Sequence, residues 1–206
     1  MWFWSTVALS GLLGSEAALG RNSTKAILFK LLSFACLLLG VFKAELSFSL
    51  LLAISAGLVS SAGADILFFV KQRRRLSYLA FILSQLCFSW AFWQQLEGPV
   101  FLWLPALLFA VAIVLFLLLL PRIDSTLVPT AITGFIAVEL ACAAGEVWLS
   151  SPNLSNLLGF LGCLLMPISV ILVSLRVDQA VLWQDRRLSS FLFLLANALI
   201  VASVLI

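Results

Sequence analysis

Apolar residues fill this chain in long unbroken runs, divided by short polar clusters rather than alternating with them. The stretch 98–121, between Glu97 and Arg122, holds no charged residue, and neither does 76–96. Each is long enough for an α-helix to cross a bilayer, which takes about 20 residues at about 1.5 Å each. A membrane barrel would show alternating apolar and polar positions instead. The pattern predicts eight spans, at roughly 1–15, 26–43, 46–70, 76–96, 99–120, 125–149, 154–175 and 188–206. The first is the shortest. No Lys or Arg precedes Arg21, so it lacks the basic leader of a signal peptide and reads as a true span.

Composition sharpens this picture. Of 206 residues, 64% are hydrophobic and 10% charged, and the mean hydropathy is +1.20. Soluble domains carry about 25% charged residues. In lipid every backbone polar group needs an internal partner, which continuous apolar runs supply as helices. The expected fold is therefore all-α: a single integral membrane domain over 1–206, built as a polytopic bundle of about eight transmembrane helices.

Charge sets the expected orientation. Arg21, Lys25, Lys71, Arg73, Arg74, Arg75, Arg122, Arg176, Arg186 and Arg187 fall in or beside the first, third, fifth and seventh connections, and only Lys43 falls on the other face. By the positive-inside rule the odd connections are cytoplasmic. Both termini then lie outside the cytoplasm, in a multi-pass protein of the cell membrane. Trp2, Trp4, Trp90, Trp93, Trp103 and Trp148 map to the outer ends of spans, as interfacial indoles should. The net charge of +3 is accounted for by this basic inner face, so nucleic acid is not an expected partner. Cys36, Cys87, Cys142 and Cys163 all lie in apolar runs without CxxC spacing, and the chain has no histidine. They read as packing residues, and neither a metal nor a cofactor is expected.

Polar residues inside the spans are the candidates for function, because ionised groups in the membrane are costly and face protein or a cavity. Asp65 lies six residues before Lys71, about 9 Å inside the cytoplasmic boundary. Lys30 enters the second span to a similar depth, so a Lys30–Asp65 pair is expected. Ser169 falls near the same level. Gln85 and Asn197 share a depth of about 13 Å. Glu139 falls near the midplane of the sixth span, and Glu146 near its outer interface. Asp65 and Gln85 on the third and fourth spans, with Ser169 and Asn197 on the seventh and eighth, outline a 4+4 repeat of parallel halves around one cavity.

At these residues the chain resembles the YhhN family of eight-span membrane proteins, whose characterised members are lysoplasmalogenases. The resemblance rests on Phe29-Lys30, on Gly63-Ala64-Asp65-Ile66-Leu67 and on Phe81 to Phe88. There Gln85 stands for the family's His and Phe88 for its Tyr. It continues through Gly162 to Val170, with Ser169 matched and Val170 in place of an Asp. It ends with Leu194 to Ile200, where Asn197 replaces a Gln. The resemblance implies hydrolysis of the vinyl-ether bond of lysoplasmalogens. Asp65 would be the catalytic acid/base, and Lys30, Gln85, Ser169 and Asn197 would line the substrate pocket. The partner would be a membrane lipid or lysophospholipid. Two alternatives stay open: a non-catalytic family member that binds lipid or protein, for which loss of the second Asp would be the signature, and a small transporter. Pro105, Pro129 and Pro167 do not pair between the halves as the broken helices of a transporter would.

Overall fold

A computed structural model describes residues 2–19, 23–69, 74–96, 98–119, 127–174 and 183–205. They form eight helices and, among the described residues, no strand: α1 (Trp2–Leu19), α2 (Ser23–Lys43), α3 (Phe48–Phe69), α4 (Arg74–Trp93), α5 (Trp103–Leu119), α6 (Leu127–Ser150), α7 (Leu154–Ser174) and α8 (Trp183–Leu205). The segments Phe48–Leu67, Arg75–Trp93 and Ala131–Ser150 are long and apolar enough to cross a membrane, and shorter apolar stretches occur in α1, α5, α7 and α8.

Local chemistry explains the helix limits. The α4–α5 connection is longer than the expected spans allow. Helix α4 ends at Trp93, before Gln94 and Gln95, and α5 begins only at Trp103, after Gly98-Pro99. A helix seldom runs through a residue preceding proline. Pro105 and Pro129 each fall in the first turn of their helix, where the missing N–H costs nothing. At the start of α7 the Asn153 side chain accepts a bond from the Asn156 N–H at 2.7 Å, an N-cap.

Contacts fix the packing. Helices α1 and α2, α3 and α4, and α7 and α8 form close pairs, and α2 also meets α3. Ser61 and Ser84 share a hydroxyl–hydroxyl bond, and the Ser77 hydroxyl reaches the Ala64 carbonyl, so α3 and α4 are antiparallel. Helix α6 runs alongside α4, with Thr133 bonded to Tyr78 and Glu139 to Ser89. It also packs against α5 and α7. Residues 140–147 are consequently buried without a break. Ala141, Ala143, Ala144 and Gly145 make this enclosure feasible, since small side chains let helices approach closely in lipid. The outward surface carries Leu9, Leu39, Leu79, Leu107, Leu118 and Phe135, all exposed. An apolar surface of that extent marks contact with lipid.

The 4+4 repeat is visible as matched contacts. In the first half Gly57 opposes Phe88; in the second Gly162 opposes Ile200. Ser77 bonds the Ala64 carbonyl at 2.7 Å, and Ser189 bonds the Ser169 carbonyl at 2.9 Å. One register shift carries α3 onto α7, and a second carries α4 onto α8. Together they map Gly57 to Gly162, Ala64 to Ser169, Ser77 to Ser189, Phe81 to Phe193, Gln85 to Asn197 and Phe88 to Ile200. Helix pairing follows the same rule: α4 with α6 matches α8 with α2. The ends break it, because α1 packs on α8 as well as on α2.

Candidate functional site

Lys30 on α2 and Asp65 on α3 meet in the half of the bundle nearer the basic helix starts. The Lys30 Nζ donates to Asp65 Oδ1 at 2.6 Å, with side chains only 6% and 14% exposed. Helix α1 lies over the lysine at Gly14, where an added Cβ would come within 3.3 Å of Lys30 Cγ. The glycine therefore lets α1 cover the lysine stem. On the other side the Ser77 hydroxyl takes the carbonyl of Ala64, the residue just before Asp65. The pair is thus clasped by α1 and α4 as well as by its own helices.

Gln85 and Asn197 come next along the bundle. The rings of Phe81 and Phe193 meet at a centroid distance of 6.0 Å, joining α4 to α8. Residues four apart stack on one helix face, so Gln85 and Asn197 stand at one level, a turn beyond this ring contact. Both side chains are fully buried. Asn197 donates to the Phe193 carbonyl at 2.8 Å, but among the described residues its Oδ1 has no partner, and neither does either amide atom of Gln85. A buried polar group left unpaired costs about 1–3 kcal/mol. Three such atoms lie close to the α4–α8 ring contact, where the two halves of the bundle meet.

Ser169 is buried and spends its hydroxyl on the Met166 carbonyl of its own helix at 2.6 Å. What it offers its neighbours is its backbone carbonyl, taken by Ser189. The register also refines the repeat read from the sequence: Ser169 is the counterpart of Ala64, and the counterpart of Asp65 is Val170. The second half therefore carries no carboxylate at that position.

The two glutamates of α6 sit away from this site. Ser89 and Trp93 both donate to Glu139 Oε1, at 2.6 and 2.7 Å. Glu139 is the thirteenth of the 24 residues of α6, at the middle of that span as expected, and its partners Ser89 and Trp93 lie three to four turns along α4 from Ser77, so it stands well beyond the level of Asp65. Glu146 lies near the C-terminal end of α6 as expected, but it is fully buried there, because the α4–α5 connection folds over it and the Phe101 N–H donates to Oε2 at 2.7 Å. The sequence reading also missed the serine bonds between helices. Their signal was present in the equal spacing of Ser77, Phe81, Gln85 and of Ser189, Phe193, Asn197.

A bundle of apolar helices with a buried ion pair in its interior defines a helical membrane protein. The chain belongs to the YhhN family, whose model matches residues 25–204. Among curated proteins it is similar to the "Uncharacterized membrane protein YhhN" of Escherichia coli O6:H1, of Escherichia coli O157:H7 and of Shigella flexneri. Each is 30% identical over 173 residues, covering 82% of both chains. No solved structure matches the chain.

Proposed function

We propose that the protein is a lysoplasmalogenase-type membrane hydrolase, which adds water across the vinyl-ether bond of a lysoplasmalogen at the Lys30–Asp65 site. The observation that carries this reading is the buried Lys30–Asp65 pair, with the buried Gln85 and Asn197 side chains further along the same bundle. A polar lipid reaching the interior would give Gln85 and Asn197 a role beyond packing. Family membership supports the substrate class.

In this reading the lipid enters from the leaflet at the basic end. Its phosphate draws the Lys30 ammonium off Asp65, and the released carboxylate takes up a proton from water that enters with the head group. Asp65 gives that proton to the vinyl carbon remote from the ether oxygen, leaving an oxocarbenium ion beside a carboxylate. Water adds to the carbon bonded to oxygen while Asp65 takes a proton back. The C–O bond to the glycerol then breaks as the leaving oxygen takes the proton from Asp65 and the hemiacetal hydroxyl gives its own back to Asp65, releasing a fatty aldehyde and a glycerophospho-head group. Gln85 and Asn197 hold the water or the ether oxygen.

A second reading is favoured by one observation, the valine at the counterpart of Asp65: a non-catalytic member that binds lipid in the same interior. Purified protein in detergent, given lysoplasmalogen and followed for aldehyde, separates the two. The hydrolase reading expects saturable turnover, and the binding reading expects none.

A further inference from the structure

We infer that the cleft between α4 and α6 is a second site, distinct from the Lys30–Asp65 interior, that binds the ammonium head group of a membrane amphiphile at Glu139. The cleft holds about 320 Å³ and is walled by Trp90, Trp93 and Phe135, with Leu86 and Ile136 completing its apolar lining. Trp90 and Phe135 are 65% and 61% exposed, so the cleft opens sideways, where lipid lies. Its acid is Glu139.

Three features make this more than a gap between helices. Glu139 is held in place: Oε1 accepts from both the Ser89 hydroxyl and the Trp93 indole. Those donors are neutral, and among the described residues no lysine or arginine pairs with the carboxylate. An acid without a counterion is costly within a bilayer. The walls then supply what a cation lacks elsewhere in lipid, since indole and phenyl faces attract ammonium groups through their π-electrons. A carboxylate with aromatic walls complements an alkylammonium and repels an anionic or phosphate-only head group. The lateral opening lets an acyl chain remain in the bilayer while the head group enters. The inference does not depend on the hydrolase reading, because it uses none of the same residues.

The test uses the purified chain in an uncharged maltoside detergent, titrated calorimetrically with hexyltrimethylammonium chloride. Saturable binding is expected. Glu139→Gln keeps an acceptor for Ser89 and Trp93 but removes the charge, so affinity should fall about tenfold or more, as for loss of a charged contact. Trp90→Leu, which removes an aromatic wall but leaves both hydrogen-bond donors to Glu139 in place, should weaken binding by a factor of about 2 to 30. Hexyl glucoside should bind far more weakly, and so should tetramethylammonium, which has no chain. Absence of saturable binding, or equal binding by Glu139→Gln, would overturn the site. Equal binding of tetramethylammonium would replace a lipid site with a site for free small cations. Aldehyde release should be unaffected by Glu139→Gln, which keeps a failure here separate from a failure of the hydrolase reading.

Discussion

Breaking the Lys30–Asp65 pair from either side should cost far more stability than breaking it from both. The Nζ–Oδ1 distance is 2.6 Å and both groups are nearly withdrawn from solvent. With an effective dielectric constant of about 20, the attraction at that distance is about 6 kcal/mol before desolvation is charged against it. Lys30→Met leaves a buried carboxylate alone, and Asp65→Leu leaves a buried ammonium alone. Each single change should cost about 3–5 kcal/mol, reduced if the stranded group neutralises or finds water. The double variant removes both charges and should return at least about 2 kcal/mol of the summed loss. Lys30 belongs to the cover of α1 as well, so Met is chosen to keep the stem that Gly14 packs on. The assay is thermal and denaturant unfolding in one detergent, read by tryptophan fluorescence, with monodispersity checked by gel filtration. Losses that add in the double variant would show that the two side chains do not interact and would remove the site's anchor.

Three further outcomes follow from the packing. Gly162→Ala places a Cβ 2.8 Å from the Ala196 carbonyl oxygen and should destabilise the protein by about 1–3 kcal/mol, while Gly63→Ala meets nothing within 4 Å and should be neutral or slightly stabilising in the same unfolding assay. Gln85→Leu removes two unpartnered buried atoms, so it should leave stability unchanged or raise it by up to about 2 kcal/mol while lowering lipid turnover; a loss of stability would mean that the amide is structurally paired. Reporter fusions after Arg75 should read cytoplasmic and fusions at Ile206 extracytoplasmic; the reverse would put the Lys30–Asp65 site in the other leaflet.

Much of the bundle was legible because its physics is one-dimensional. A span is a run of apolar residues, and all eight helices coincide with such runs. Depth could also be counted along them, which is why Lys30 and Asp65 could be matched before any packing was known. The α4–α5 connection was misjudged because its residues from Pro99 to Leu102 are as apolar as the spans beside them, which outweighed the breaking signal of Gly98-Pro99. Azimuth was not legible at all. Helices that are apolar on every side give no signal of which face is inward, so the burial of Glu146, the turning of Ser169 to its own helix and the sideways cleft at Glu139 required the fold. The repeat lay between these cases: its polar positions were visible, but its register was fixed only when the Ser77–Ala64 and Ser189–Ser169 bonds could be compared.

The central claim is that Asp65 is the reacting group of a lipid hydrolase, and Asp65→Asn tests it most directly. The amide keeps the size of the carboxyl group and an oxygen for Lys30, so the variant should remain monodisperse, although less stable. Both proteins are given lysoplasmalogen in detergent and the fatty aldehyde is measured over time. The account predicts steady release by the unmodified protein and loss of nearly all release in Asp65→Asn. Release that survives the substitution, or its absence from the unmodified protein, would contradict it.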